Sequence, residues 1–403
     1  MSETILQATS LDLDPFSLAY FDDPFPAQAA MRDAGPVCHL QRYDCFAVAR
    51  HAPVQAVLHA HEAFCSGRGV GLSDFAKEAP WRAKSIILEA DPPDHTRARA
   101  ILARVLSPAA MRKMRTAFDQ PAEALVTRLL EADGGRCDGV ADIAEAFPMQ
   151  VFPDAVGLGQ AGREHLLPYA SLAFDAFGPD NALRRTALAG AAPHVAWVTA
   201  QCRREALTPD GLGAAVYAAA AEAGDVSEAE AGMLLRSLLT AGLDTTVSGL
   251  GAALLCLSHD PAAWAALREA PERLARPSYE EALRLESPVQ TFFRTATRDV
   301  EVEGVTVPEG AKMLMFLGAA NRDPRKWDEP DAYLPARRTA GHVGFGSGVH
   351  VCVGAALARL EGEALLGALA RRVARIEGLG PPVRKYNNTL RALAHLPLRL
   401  HAA

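Results

Sequence analysis

The chain has 403 residues, 49% of them hydrophobic, and a formal net charge of -7. This is enough apolar material for a large buried core, in one large domain or two or three smaller ones, and an acidic balance without a basic tract excludes the electrostatic footprint of a nucleic-acid binder. The opening Met1-Ser2-Glu3-Thr4 lacks a basic segment followed by an apolar core, and no run of about 18 uncharged apolar residues is evident, so a cytoplasmic protein without a membrane partner is expected.

Read in order, the chain gives a short strand over Cys45 to Ala49, then a proline turn, Asp91-Pro92-Pro93, that opens a helix carrying His95, Arg97 and Arg99. Long Ala/Leu-rich patterns with polar breaks near the helical period predict helices over Ser107 to Glu131, Asn181 to Leu207 and Ser227 to His259. Pro108 and Pro261 stand where helix starts tolerate proline. Within the third run, Ala241-Gly242-Leu243-Asp244-Thr245-Thr246 places poor helix formers mid-helix, which predicts a kink or packing notch. Glu281 and Arg284 fall at i, i+3 on one helix face, where they can pair. Strand patterns follow over Phe292 to Thr297, Val300 to Val302, Val305 to Val307, Lys312 to Phe316 and Asn388 to Leu396. The Gly341 to Gly354 segment reads as a structured loop before an amphipathic run, Ala355 to Ile376. The fold class is mainly α: a single α-rich domain over residues 1–403 with small β-sheets.

The cysteines Cys38, Cys45, Cys65, Cys137, Cys202, Cys256 and Cys352 are odd in number, scattered and never spaced C-x-x-C, which argues against a disulfide framework or a structural zinc site. Cys256, in an apolar helical run, reads as a small buried hydrophobe. Cys352 is different. Phe345-Gly346-Ser347-Gly348-Val349-His350-Val351-Cys352-Val353-Gly354 sets glycines on both sides of the thiol just before a helix. Glycine lets backbone approach a bulky planar group closely, and a helix start favours the thiolate, the form that binds metal.

In its order, this segment resembles the cysteine-ligand loop of the cytochrome P-450 family, F-x-x-G-x-H-x-C-x-G, through Phe345, Gly348, His350, Cys352 and Gly354. The resemblance implies haem b (iron protoporphyrin IX) between two central helices, with Cys352 as axial ligand; a thiolate ligand donates electron density that promotes O–O cleavage. Three remote segments resemble the same family. Asp91 to Arg99 is similar to its D-P-P-x-H-T-R-x-R motif, which implies that His95 and Arg99, with Arg294 and His350, bind the haem propionates. The hexad at 241–246 resembles the oxygen-activation segment, which implies that Asp244 and Thr245 deliver protons and that Gly242 leaves the dioxygen pocket open. Glu281 and Arg284, with Arg337 as third member, resemble the buried Glu-Arg-Arg cluster that holds the core beneath the haem.

Further segments, among them Trp81 to Ser85, Phe174 to Phe177, Arg236-Ser237 and Ser287 to Phe292, look like the bacterial subfamily that oxidises para-substituted benzoates, including 4-methoxybenzoate demethylases. The residues add their own reading. Ser237, Ala241, Asp244, Thr245 and Ser248 share one helix face by spacing, with Ser237 about two turns from the oxygen site. A hydroxyl there can hold a carboxylate, aided by Arg82, Ser85 and Arg236, while Leu88, Phe174, Phe177, Val289 and Phe292 wall the ring. Lys84 departs from the prolines of that subfamily's loop. The expected activity is O-demethylation or hydroxylation of a para-substituted benzoic acid with dioxygen. The resemblance implies electrons from a 2Fe-2S ferredoxin and a flavin-dependent ferredoxin reductase. A monooxygenase of another substrate class, such as terpenoids or fatty acids, and a non-oxygenating haem-binding sensor remain as alternatives.

Overall fold

A computed structural model describes residues 7–403; the Met1 to Thr4 stretch read above lies outside them. Local chemistry sets the helix boundaries. Ser107 accepts a hydrogen bond from the Ala110 amide and starts Pro108–Glu131, with Pro108 in the first turn where its missing N–H costs nothing. Ser227 and Glu230 form a reciprocal capping box at Glu228–Ala241, and Asp260 caps Pro261–Glu269.

The core is helical. Asp244–His259 is buried along nearly its whole length and packs against Pro271–Glu286 and the wide turn Gly139–Glu145, while Ala355–Arg372 packs against Pro108–Glu131 and Pro271–Glu286. By length and composition the 228–259 run is apolar enough to cross a membrane, contrary to the expectation from the sequence, yet 78% of that window is buried inside the protein. Its hydropathy therefore belongs to a central core helix. The sheets are small: a six-stranded mixed sheet in the order Thr9–Leu11, Cys38–Leu40, Cys45–Val48, Lys312–Phe316, Thr291–Ala296, Phe64–Cys65, with two- and three-stranded ribbons beside it. Antiparallel register pairs Phe292 with Met315 and Arg294 with Met313. Residues 292 and 294 therefore leave the same face of their strand.

Three expected elements change. Asn181 to Leu207 is two helices, Ala182–Ala189 and Ala191–Gln201, parted at Gly190 and followed by a short 3-10 turn. The 227–259 run is interrupted where residues 241–246 predict a kink: Glu228–Ala241 ends at Gly242, and Asp244–His259 begins after Leu243, whose ψ of -66 leaves the regular ladder. The C-terminal strand pattern over 388–396 is split, with Asn387 to Leu390 used as a turn and strands at Ala392–His395 and Pro397–Ala402.

The Glu281, Arg284 and Arg337 cluster forms in full. Arg284 Nε and Nη2 each donate to Glu281 at 2.8 Å, and Arg337 Nε donates to Glu281 Oε1 at 3.1 Å. Arg284 also donates to the carbonyls of Asn321, Pro330 and Ala332. Glu281 and Arg284 are fully buried, so every donor needs a partner, and here the backbone of the 321–332 segment supplies what the carboxylate does not. The cluster fastens that segment, which leads into the cysteine loop, to the central helices.

Candidate active site

A cavity of about 240 Å³ lies between the broken central helix and the cysteine loop. At one end stands Cys352. Its amide donates to the Phe345 carbonyl at 2.8 Å, closing the loop. Gly348 holds a φ of +69, and a Cβ there would lie 2.4 Å from the Leu58 carbonyl oxygen, so glycine is required for this close approach. Phe345 lines the cavity, with the Arg359 guanidinium 4.5 Å from its ring centroid.

Cys352 lines this cavity and has exposed surface, though protein surrounds the sulfur densely. Ala355–Arg372 starts three residues after it, with Gly354 as cap. The amides of Gly354 and Ala355 still reach the sulfur and favour its charge, but burial dominates and pushes the thiol up. A bound metal would add its charge to theirs in favour of the thiolate.

Beside the thiol lie basic groups without anions. Arg294 is 4% exposed, donates only to the Phe293 carbonyl, and is pushed down to about 10 by burial. Arg99 is also lowered by burial. Among the described residues no carboxylate lies within salt-bridge distance of either. His95 is 1% exposed with both ring nitrogens unpartnered. Its ring centroid is 4.3 Å from that of His350, which is held at about 3 by burial and by Arg294 and bonds Ser66 Oγ at 3.0 Å.

Thr245, Ala241 and Ser237 face the cavity, as their spacing predicts. Asp244 and Ser248 do not. They line a separate small cavity behind the helix, where Asp244 Oδ1 lies 3.4 Å from Lys385 Nζ. Residues 244 and 245 are about 100° apart on a helix, and the break at 242–243 aims the carboxyl outward. Gly242 lines the main cavity through its backbone, but a Cβ there would lie 2.6 Å from the Phe152 ring. Its smallness lets the helix pack on Ala146–Val156, and the expected opening of the pocket is not where a side chain would go.

At the far end Ser85 Oγ and Ser237 Oγ are 2.9 Å apart. Arg82 lines this end but is paired with Glu89 at 2.9 Å, whereas Arg236 donates only to the carbonyls of Ala83 and Lys84. Phe174, Phe177 and Phe292 form a chain of rings with successive centroids 5.9 Å apart, with Leu88 and Val289 packed against them. Lys84 turns away: its Nζ donates to the Gly67 carbonyl at 2.7 Å and lies over the Phe75 ring. Sequence reasoning missed Lys385, Glu145 and Asp175, which surround Asp244 from remote parts of the chain and carry no local motif.

The profile of the Cytochrome P450 family matches residues 206–374. Cytochrome p450 CYP199A2 of Rhodopseudomonas palustris is 58% identical over 393 residues, covering 98% of this chain and 95% of that protein. The chain belongs to the cytochrome P450 family. The beta-dihydromenaquinone-9 omega-hydroxylase of Mycobacterium tuberculosis is 31% identical over 96% of this chain and 78% of its own length. Among solved P450 structures, that of CYP109Q5 from Chondromyces apiculatus aligns with a TM-score of 0.81 at 28% identity, covering 97% of this chain and 99% of that one. Epothilone D-bound cytochrome P450epoK aligns with a TM-score of 0.85 at 26% identity, covering 98% and 100%. Relatives with such different compounds in their names share one fold, so substrate must be argued from the cavity.

The protein is thus a haem monooxygenase supplied with electrons by redox partner proteins. The residues fit haem: the buried Arg294, the half-buried Arg99 and the buried, unpartnered His95 form a basic cluster without anions, and haem carries two carboxylates. A thiol opening on the same cavity adds the soft donor that iron takes.

Proposed function

We propose that this P450 oxidises small para-substituted aromatic acids, O-demethylating 4-methoxybenzoate or hydroxylating an alkyl counterpart. The observation that carries the reading is the cavity's polarity along its length: a hydroxyl pair and Arg236 at one end, three phenylalanine rings between, and Thr245 and Cys352 at the other. A flat acid matches that order. Its carboxylate takes hydrogen bonds from Ser85 and Ser237 beside the Arg236 charge, its ring packs on Phe174, Phe177 and Phe292 with Leu88, Val289 and Ala241 filling the sides, and its para group is carried toward Thr245.

Cys352 is the residue that holds the haem iron, and His95, Arg99, Arg294 and His350 hold the propionates, with Phe345 and Gly354 shaping the loop. Bound haem supplies dioxygen activation. The chain's residues orient the acid, exclude water with the aromatic walls, and hold protons at the Asp244 carboxyl and the Thr245 hydroxyl. Overall, one oxygen atom enters a methoxy C–H bond and the other leaves as water, with two electrons and two protons consumed. The resulting hemiacetal loses formaldehyde to leave 4-hydroxybenzoate. Electrons come from a 2Fe-2S ferredoxin and its flavin-dependent reductase, and the setting is cytoplasmic.

The test is titration of the haem-loaded protein with 4-methoxybenzoate. A Soret band moving to shorter wavelength, with product formed when ferredoxin and reductase are added, is the expected result. A flat difference spectrum across a panel of para-substituted benzoates overturns the reading.

A further inference from the structure

Residues 66–93, between the Phe64–Cys65 strand and the Asp94–Val105 helix, form neither helix nor strand, so their course is set by hydrogen bonds to the rest of the chain. The first part of this loop backs the aromatic wall of the main cavity. Val70 is fully buried in one cluster with Phe174, Phe177 and Leu390. The Leu72 amide donates to the Phe177 carbonyl at 2.8 Å, and the Phe293 amide donates to the Val70 carbonyl at 2.9 Å. Gly71 permits the contact, because a Cβ there would lie 2.6 Å from the Phe177 backbone.

Lys312, the first residue of the Lys312–Phe316 strand, reaches into this loop from the sheet. Strand alternation sends its side chain out with Leu314 and Phe316, on the face where Leu72 packs. It is 8% exposed, and its Nζ donates to the carbonyls of Arg68, Gly69 and Gly71 at 3.2, 3.1 and 3.1 Å. An ammonium has three N–H groups, and three carbonyls meet them. Among the described residues no carboxylate lies within salt-bridge distance of it; Asp74, in the same loop, is paired with Arg68. Burying an ammonium without a carboxylate is costly, and a methionine of the same reach would fill the space without that cost. What methionine lacks is the means to gather three carbonyls at one point.

We propose that Lys312 is a positioning residue for the substrate wall: its ammonium gathers residues 68–71 behind the Phe174 to Phe177 segment and so holds the Phe177 ring where a flat aromatic acid meets it. Lys312 fixes the Gly69 and Gly71 carbonyls on either side of Val70, Val70 packs with both rings, and the Leu72 amide ties on the Phe177 carbonyl. Lys312 does not line the cavity and touches no substrate. It acts on affinity by keeping the wall formed before the ligand arrives, so that binding does not carry the cost of ordering it. Lys84 holds the Gly67 carbonyl, and Asp91 accepts from the Ser66 and Gly67 amides; both fix the entrance of the loop and neither reaches residues 69–71. The proposal rests on the aromatic-acid reading of the cavity.

The experiment compares the haem-loaded parent with Lys312→Met and Lys312→Arg. Hydrogen exchange reads the loop itself: Lys312→Met raises the exchange rates of the amides in 69–72 by about tenfold, while those of the central helix keep their parental rates. Soret titration reads the consequence: Lys312→Met raises the 4-methoxybenzoate Kd by about tenfold, while imidazole, which ligates iron directly, keeps its Kd within about twofold. Lys312→Arg, which retains a cation with several donors, recovers most of both losses. A parent that gives a flat difference spectrum across para-substituted benzoates overturns the substrate reading and the positioning role with it. Where the parent binds, parental exchange rates in the loop of Lys312→Met, a parental 4-methoxybenzoate Kd, or an equal loss of imidazole affinity each overturns the positioning role alone.

Discussion

The carboxylate of Glu89 lies 2.9 Å from the guanidinium of Arg82, and both side chains are almost fully buried, at 3% and 10% exposure. Glu89 also accepts from the Ser85 amide at 2.7 Å. Arg82 thus spends its charge on the loop that presents Ser85, and Arg236 is the cation left for a ligand. Arg82→Ala is expected to destabilise the fold by about 3–5 kcal/mol by stranding a buried carboxylate, with most of the loss recovered in Arg82→Ala/Glu89→Ala. Arg236→Ala instead weakens benzoate binding by roughly tenfold to a hundredfold with a much smaller stability change. Denaturant unfolding and Soret titration of the variants check the division.

The hydroxyls of Ser85 and Ser237 bond each other, so they act on a carboxylate as a pair. Ser237→Ala is expected to raise the 4-methoxybenzoate Kd by about tenfold, equivalent to about 1.4 kcal/mol. The double variant with Ser85→Ala should lose less than the sum of the single losses. A double-mutant cycle by spectral titration measures that coupling.

Lys84 faces the Gly67 carbonyl and Phe75, away from the substrate end. Lys84→Ala should leave the benzoate Kd within about twofold of the parent, since substitutions outside a site's contacts have small effects. A large loss of affinity would place the ammonium in the site.

Asp175 is 8% exposed, and burial raises it from an ordinary value near 3.8 to about 6. Its folded form binds protons more tightly than its unfolded form, so the stability it contributes is full below pH 3.8 and is lost as pH rises through about 6. Asp175→Asn keeps an acceptor for the Asn388 amide and removes the cost of ionisation. It should stabilise the protein by about 2–3 kcal/mol at pH 8, with the gain shrinking as pH falls toward 5, as read by unfolding curves at both values.

Cys352 opens on the cavity beside the basic cluster. Cys352→Ala should abolish the carbon-monoxide difference band of the reduced enzyme that marks thiolate ligation. A retained band would assign the ligand elsewhere.

Much of the active site was legible in the residue order. The cysteine loop, the His95 to Arg99 segment and the Glu281–Arg284 pair are contiguous patterns, and each has its partner within a few residues or in a segment with a motif of its own. The helices of the core were legible as well, because burial imposes a period on the chain. Where the pattern ran through Gly190 without a visible stop, the sequence promised a single helix and the structure broke it, whereas the break at Gly242 falls where the poor helix formers of 241–246 predict a kink.

From the residue order alone come the mainly helical fold, the thiol at its glycine-bound loop and the aromatic and hydroxyl groups along the cavity, because these depend on residue type and local spacing. Only tertiary structure decided the direction of each charge: Arg82 toward Glu89, Lys84 toward Gly67 and Asp244 toward Lys385. The last pair is 141 residues apart in the chain. A long-range ion pair is selected by which buried groups the packed elements bring together and by the cost of leaving a charge unpaired there, and neither is written in the neighbouring residues.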